Sequence, residues 1–264
     1  MVATVVGWGT DAGAVRQLNE DAVSVGTKIF AVADGMGGHA AGDVASQMTV
    51  QALNELDTRE LLRPADVVGA LIGVSDTIAR RAQAEPERWG MGTTVTGVAL
   101  VTVGGSDHWG IFNVGDSRVY RFADGILTRA TVDHSEVEEL LTAGVISEEE
   151  ARVHPDRNVI TRSLGTVPAP QVDLWLLPPM PGERYVVCSD GLVNEVSDAE
   201  IATILAAAAS PQAAVNELMT LALDRGAHDN VTIVVVEVCV NENEPAQQDT
   251  PPTVPRHRLG AGEE

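Results

Sequence analysis

The stretch Ile29 to Gly42, Ile-Phe-Ala-Val-Ala-Asp-Gly-Met-Gly-Gly-His-Ala-Ala-Gly, constrains this chain more than any other, because an apolar run ends there on a carboxylate and a glycine-rich turn. An Asp held at the end of a buried strand is costly unless something cationic faces it. The first reading is therefore a metal. Gly35, Gly37 and Gly38 carry no Cβ and let backbone atoms come close to a ligand. From Ala41 the pattern turns helical, with Val44, Met48, Ala52 and Leu56 on one stripe and Ala45 and Leu53 beside it.

At 264 residues and 44% hydrophobic content the chain can bury a sizeable core. Aromatics are only 3%, so that core must be built from Val, Leu, Ile and Ala, and aromatic platforms for bases or sugars are not expected. Lys plus Arg number 17 against 38 Asp plus Glu, a formal charge of −21, which argues against nucleic acid or an anionic membrane surface as partner. Lys28 is the only lysine, so neither a phosphate-binding loop ending in Gly-Lys nor a kinase strand lysine can be written. Cys188 and Cys239 lie in apolar surroundings and read as buried thiols rather than a disulfide framework. The first residues lack the basic and apolar regions of a signal peptide, and no run approaches the roughly 18 apolar residues of a membrane span. A monomeric cytoplasmic protein is expected.

Along the chain, residues 2–9 and 22–33 read as strands, the second broken near Gly26 as a hairpin would be, with a loop over 11–21. A helix over about 41–57 is followed by a second opened by Pro64, with Val67, Leu71, Val74 and Ile78 at helical spacing. Between 93 and 130, glycine-containing breaks about every ten residues predict an antiparallel meander. Helical signals return at 134–143, and Ser147 to Glu150 forms a capping box. Strands are predicted at 172–177 and 185–188, the latter running into Ser189-Asp190-Gly191. Helices opened by Ser197 and by Ser210-Pro211 follow, the last closed by Gly226, and Val231 to Val238 must be a buried strand. Residues 1–240 are read as one domain with a flap at about 145–166, and 241–264 as a disordered tail. Strands and helices come in separate groups, which predicts an α+β fold with an antiparallel core and helices outside.

Four Asp residues share one kind of position. Asp34 and Asp190 end apolar strands before Gly, Asp116 lies between strands in Asn113-Val-Gly-Asp-Ser-Arg118, and Asp229 precedes the last strand. A single such Asp is most often a turn former. Four of them, if they converge, need protons or cations to relieve their repulsion. An oxygen-only set selects hard ions such as Mg²⁺ or Mn²⁺ over zinc. Two such ions about 3.5–4 Å apart can share a carboxylate and a water, lower that water's pKa and clamp a phosphoryl group. Arg16, beside Asn19-Glu20-Asp21, could hold two phosphate oxygens through its fork.

At these residues the chain closely resembles the metal-dependent protein serine/threonine phosphatases of type 2C, in their bacterial form. The likeness runs through Arg16-Gln-Leu-Asn-Glu-Asp21, Asp34-Gly-Met-Gly-Gly-His39, Gly90-Met-Gly-Thr-Thr94, Val114-Gly-Asp-Ser-Arg118, Asp133-His-Ser135, His154-Pro-Asp-Arg-Asn158, Cys188-Ser-Asp-Gly191 and Asp229-Asn230. The resemblance implies a four-layer α-β-β-α sandwich, two antiparallel sheets packed face to face and flanked by helices. It also implies hydrolysis of phosphoserine and phosphothreonine in proteins by a water activated at a binuclear Mg/Mn centre, with no phosphoenzyme. Asp34 would bridge the two core ions, the Gly35 carbonyl would bind one, and Asp190 and Asp229 would complete the other. Asp116 with Asp190 would hold a weaker third ion, while Glu20, Asp21 and Asn230 would stand behind the ligands. Arg16 would hold the phosphate, and His154 and Arg157 would belong to the flap that meets substrate. Met36 follows the Asp-Gly where the eukaryotic form has His, so the general acid is left open between His39, metal-bound water and His154. Partners implied are phosphorylated proteins, among them a Ser/Thr kinase or its substrates.

Two other chemistries fit less well. Gly35-Met-Gly-Gly-His-Ala40 and Gly7-Trp-Gly-Thr-Asp-Ala12 match a dinucleotide fingerprint, but Asp34 would repel a pyrophosphate at the first and a second helix stands where the next parallel strand belongs. A cysteine phosphatase needs an arginine six positions after its nucleophile, where Cys188 has Asn194 and Cys239 has Pro245. A catalytically inactive phosphoprotein binder of the same fold is the alternative, and the presence of all four carboxylates speaks against it.

Overall fold

The computed structural model describes residues 2–37 and 41–239. The N-terminal part runs β1 (Thr4–Asp11), β2 (Ala22–Val25), β3 (Ile29–Ala33) and the two-residue β4 (Gly35–Met36), then α1 (Gly42–Asp57) and α2 (Pro64–Ala84). The meander follows as β5 (Gly92–Thr93), β6 (Val95–Val103), β7 (Ser106–Val114), β8 (Arg118–Ala123) and β9 (Ile126–Arg129), with the short α3 (Glu136–Thr142) and α4 (Glu148–Arg152) after it. The remainder is β10 (Asp173–Leu177), β11 (Arg184–Cys188), the single turn α5 (Asp190–Val193), α6 (Asp198–Ala207), α7 (Pro211–Asp224) and β12 (Val231–Val238).

The long strands form two five-stranded antiparallel sheets, ordered β1-β12-β11-β8-β9 and β10-β7-β6-β3-β2. Alternate residues of each strand face opposite ways, and this divides the core into three layers. Between the sheets lie Phe30, Val32, Val98, Trp109 and Ile111 from one and Val119, Tyr185, Val187, Val234 and Val236 from the other. The outer face of the second sheet, with Ile29, Ala31, Ala99 and Phe112, is covered by α1 and α2. That of the first, with Val186, Cys188, Ile233 and Val235, is covered by α5, α6 and α7. Burying each of these aliphatic side chains contributes roughly 1.5–3 kcal/mol. The expected α-β-β-α sandwich is the fold observed.

Several local expectations need correction. The buried stripe of α1 runs through Ala45, Thr49, Leu53 and Leu56. Val44, Met48 and Ala52, predicted to be central, lie only partly buried at its margin, Met48 and Ala52 lining an open groove between α1 and α2. Strand β9 after Ala123-Asp-Gly closes the meander expected between 93 and 130, but Asp190 opens a helical turn rather than closing a strand. The hairpin break after β2 is built by Asp57, whose carboxylate accepts from the backbone N–H groups of Thr27, Lys28 and Ile29 at 2.7–2.9 Å. His39 and residues 241–264, the expected tail, lie outside the described residues.

Candidate metal centre

Sheet register brings the four Asp residues to one end of the sandwich. Val32 pairs with Thr96 and Val95 with Val114, so Asp34, Thr94 and Gly115 leave their strands side by side. In the facing sheet Cys188 pairs with both Arg118 and Ile233, which brings Asp116, Asp190 and Asp229 to that same end. Ala22 opposite Ala33 sets Asp21 next to Asp34. The mini-sheet of β4 and β5, pairing Gly35 with Thr93, closes the Asp34 turn from the other side.

A polar scaffold fixes these turns. Thr94 Oγ1 accepts from the Asp34 N–H at 3.1 Å, and the Thr94 N–H and Thr93 hydroxyl both donate to the Asp34 carbonyl at 2.8 Å. Thr94 also shares a hydroxyl bond with Ser117 at 2.9 Å, joining the Asp34 turn to the Asp116 turn. Asn230 Oδ1 accepts from the Glu20 N–H, and its Nδ2 donates to the carbonyls of Ala12 and Leu18, so one side chain shapes the loop over 11–21. Ser189 donates to Asp21 Oδ2 at 2.8 Å. Only glycine fits at 35, where a Cβ would collide with the Gly42 carbonyl and crowd the Glu20 oxygen.

The carboxylates themselves are poorly satisfied. Glu20 Oε1, Asp21 Oδ1, Asp116 Oδ1 and Asp190 Oδ1 are buried with no hydrogen-bond partner, although buried acceptors are nearly always paired. Burial, followed by the neighbouring acids, pushes Asp116 up to about 7 and holds Asp34 well above the carboxylate range. Burial likewise raises Asp21 to about 6, against bonds from Thr232 and Ser189, and raises Asp190 with help from Asp229. Asp229 is instead turned toward Arg16, whose Nη2 lies 2.7 Å from Oδ2. Among the described residues no three acidic, His or Cys side chains stand as a ready cage around one point. The donor set is nonetheless that of a hard divalent cation: buried, oxygen-only, mutually repelling and short of partners.

Of the flap residues, His154 bonds only locally, its N–H to the Ala151 carbonyl and its Nδ1 to the Asp156 N–H, while Arg157 is exposed. Neither bonds to the carboxylates. What does tie the flap to the site is its foot, where Leu164 and Thr93 exchange backbone bonds at 2.9 and 3.2 Å. His134, of the Asp133-His-Ser135 motif, supports the Asp116 turn. Its Nδ1 accepts from the Gly115 N–H at 3.0 Å, which leaves the proton on Nε2 to be donated to Asp173 at 3.0 Å. Burial lowers its pKa, so this neutral form persists. Its carbonyl accepts from Thr161 of the flap, and Asp133 beside it holds Arg118 by a fork. Thr94, Ser117, Ser189 and His134 are the supporting residues that reasoning from carboxylates missed. For Thr94, Ser117 and Ser189 the signal was position, each a small polar residue directly beside a strand end, whereas His134 lies five residues past β9 and carried no such signal.

A family model described as protein phosphatase 2C matches residues 9–224. The serine/threonine protein phosphatase PstP of Mycobacterium tuberculosis (strain ATCC 25618 / H37Rv) is 42% identical over 235 residues, which cover 87% of this chain and 44% of that protein. The chain therefore spans less than half the length of that relative. The serine/threonine phosphatase stp of Listeria monocytogenes serovar 1/2a is 36% identical over 239 residues, 86% of this chain and 93% of the relative. A crystal structure of the PstP catalytic domain in complex with two manganese ions superposes with a TM-score of 0.81 at 38% identity, covering 91% of this chain and all of that one.

Proposed function

This chain belongs to the protein phosphatase 2C family, and on that premise we propose that it hydrolyses phosphoserine and phosphothreonine in proteins with two Mn²⁺ or Mg²⁺ ions and a weaker third. The observation that carries the reading is the group of buried, unpartnered carboxylate oxygens of Glu20, Asp21, Asp116 and Asp190 around Asp34 at one end of the sandwich. Asp34, the Gly35 carbonyl, Asp190 and Asp229 would hold the core ions, and Asp116 with Asp190 the third. Bound there, such ions supply a water acidic enough to ionise near neutral pH and a positive clamp on the phosphoryl group.

The chain's own residues do the positioning. Burial and then the charges of Asp21, Asp190, Asp116 and Asp229 hold Asp34 well above the carboxylate range, and burial with Asp229 raises Asp190, a penalty that a bound cation would relieve. Glu20, Asp21 and Asn230 stand behind them, Asn230 setting the loop that carries Glu20. Arg16 is paired with Asp229 through one nitrogen only, and its side chain is about half exposed. With Asp229 holding a metal ion, that guanidinium would be free to receive two phosphate oxygens. His39 and His154 remain candidate acids for the leaving oxygen. Phosphoproteins, among them a kinase or its substrates, are the partners; we place the protein in the cytoplasm as a monomeric signalling enzyme, with residues 1–240 as its catalytic domain. No described helix is long and apolar enough to cross a membrane.

The test is turnover of a phosphothreonine peptide with Mn²⁺ and again after EDTA. Activity that survives complete metal removal sinks the mechanism, and inactivity in every divalent metal favours a phosphoprotein binder. Asp34→Asn and Asp190→Asn should each abolish turnover while circular dichroism stays unchanged; a near-normal rate in either contradicts the assignment.

A further inference from the structure

We propose that Trp89 is a docking point for the polypeptide flanking the phosphorylated residue of a protein substrate, an inference that rests on the phosphatase reading above. Its side chain is 84% exposed, the highest value of any large hydrophobic among the described residues. The backbone beneath it is fixed. The Arg88 N–H bonds to the Glu85 carbonyl at 2.8 Å, the Met91 N–H to the Arg88 carbonyl at 3.0 Å, and Arg88 Nε holds Glu85 at 2.7 Å. Gly90 takes the left-handed φ of +82° that turns the chain into β5.

That turn is wedged between the two segments that frame the carboxylates. On one side it packs against the loop after Asp34, since a Cβ on Gly37 would stand 3.1 Å from the Gly90 carbonyl oxygen and 3.2 Å from Met91 Cα. On the other, Gly92 and Thr93 continue into the mini-sheet with Met36 and Gly35, and Thr93 bonds to Leu164 at the foot of the flap. Among the described residues the indole thus stands exposed, on a hydrogen-bonded turn at the rim of the site.

An exposed indole on a fixed backbone loses little freedom when a partner covers it, and Trp is among the commonest anchors of protein interfaces. A polypeptide whose phosphorylated residue enters the carboxylate group passes this rim, because Gly90 and Met91 pack on Gly37, three residues beyond Asp34, and that makes the chain carrying the scissile phosphate the partner. Charge argues the same way: a body of formal charge −21 gives no long-range attraction to an anionic phosphopeptide. Apolar contact beside the site supplies affinity that electrostatics withholds.

Wild-type, Trp89→Ala and Trp89→Phe chains should be compared with Mn²⁺ on a phosphothreonine peptide and on p-nitrophenyl phosphate, which has no flanking chain. Trp89→Ala is expected to raise KM for the peptide about tenfold with little change in kcat, to leave the small ester unchanged, and to be largely rescued by Phe. In an Asp34→Asn background the same peptide should shift indole emission to the blue, a shift lost with Trp89→Phe. An unchanged peptide KM overturns the proposal, as does equal loss on both substrates, which would make Trp89 a support of the turn. A dimer in light scattering that Trp89→Ala dissolves also overturns it, since the indole would then be covered by a second copy. Wild-type inactivity on both substrates instead removes the phosphatase reading itself.

Discussion

Asp21 and Asp116 carry the clearest signature of the site at the level of single residues. Burial leads in raising both, to about 6 and about 7. A carboxyl whose folded pKa lies above its unfolded value of about 4 stabilises the fold below that pH and loses the contribution as pH rises through the folded value. In EDTA the melting temperature should therefore carry a component that falls between about pH 4 and pH 7. Asp116→Asn should flatten it, and Mn²⁺ at neutral pH should raise the melting temperature by mass action. Scanning calorimetry at several pH values measures both effects; an Asp116→Asn slope equal to wild type would contradict the assignment. The acids were legible in the sequence because each sits where an apolar run stops. Their partners were not: that Thr94 receives the Asp34 N–H, or that Arg16 pairs with Asp229, depends on residues 60 and 213 places apart.

At the scale of elements, the β2–β3 hairpin shows how a helix end can do the work of a turn. Asp57, the last residue of α1, takes three successive N–H groups and the Thr27 hydroxyl, while Gly26 leaves no room for a Cβ beside that carboxylate. Burial acts to raise the Asp57 pKa, but the bonds from Thr27, Lys28 and Ile29 outweigh it and hold the value low. This stabilisation is present above about pH 4 and is lost as pH falls below it. Asp57→Ala should cost about 2–3 kcal/mol, read as a lower urea midpoint at unchanged slope. Because β3 delivers Asp34, the same variant should also weaken Mn²⁺ binding. The strands and long helices were readable from periodicity and caps, among them the Ser147 and Ser197 capping boxes. The two-residue β4 and β5 were not, since two residues give no period to read.

For the whole molecule, the division of labour between sheets and termini yields a simple expectation. Both sheets are complete by Val238, and β12 is the strand between β1 and β11. Ending the chain after residue 240 should leave turnover of a phosphothreonine peptide and the melting temperature unchanged. A substantial loss of either would show that the domain extends further. Removing β12 itself should abolish folding, because β1 would lose the one strand it pairs with among the described residues and the buried Val231 to Val236 would leave the core.

Residue type and local order already set the chemistry available to this protein: oxygen donors without a cysteine cage, no lysine for a phosphate loop, and Asp-Gly steps at the ends of apolar runs. Those are properties of residue type and local order, which need no partner to be read. Which oxygens meet is a matter of packing, because the register of six strands across two sheets sets Asp34, Asp116, Asp190 and Asp229 at one end. Tertiary packing also pairs Asp229 with Arg16, sets His134 on the turn that carries Asp116, and leaves Trp89 exposed on the turn before β5. Contacts between residues far apart in the chain arise from packing, and no local pattern encodes them.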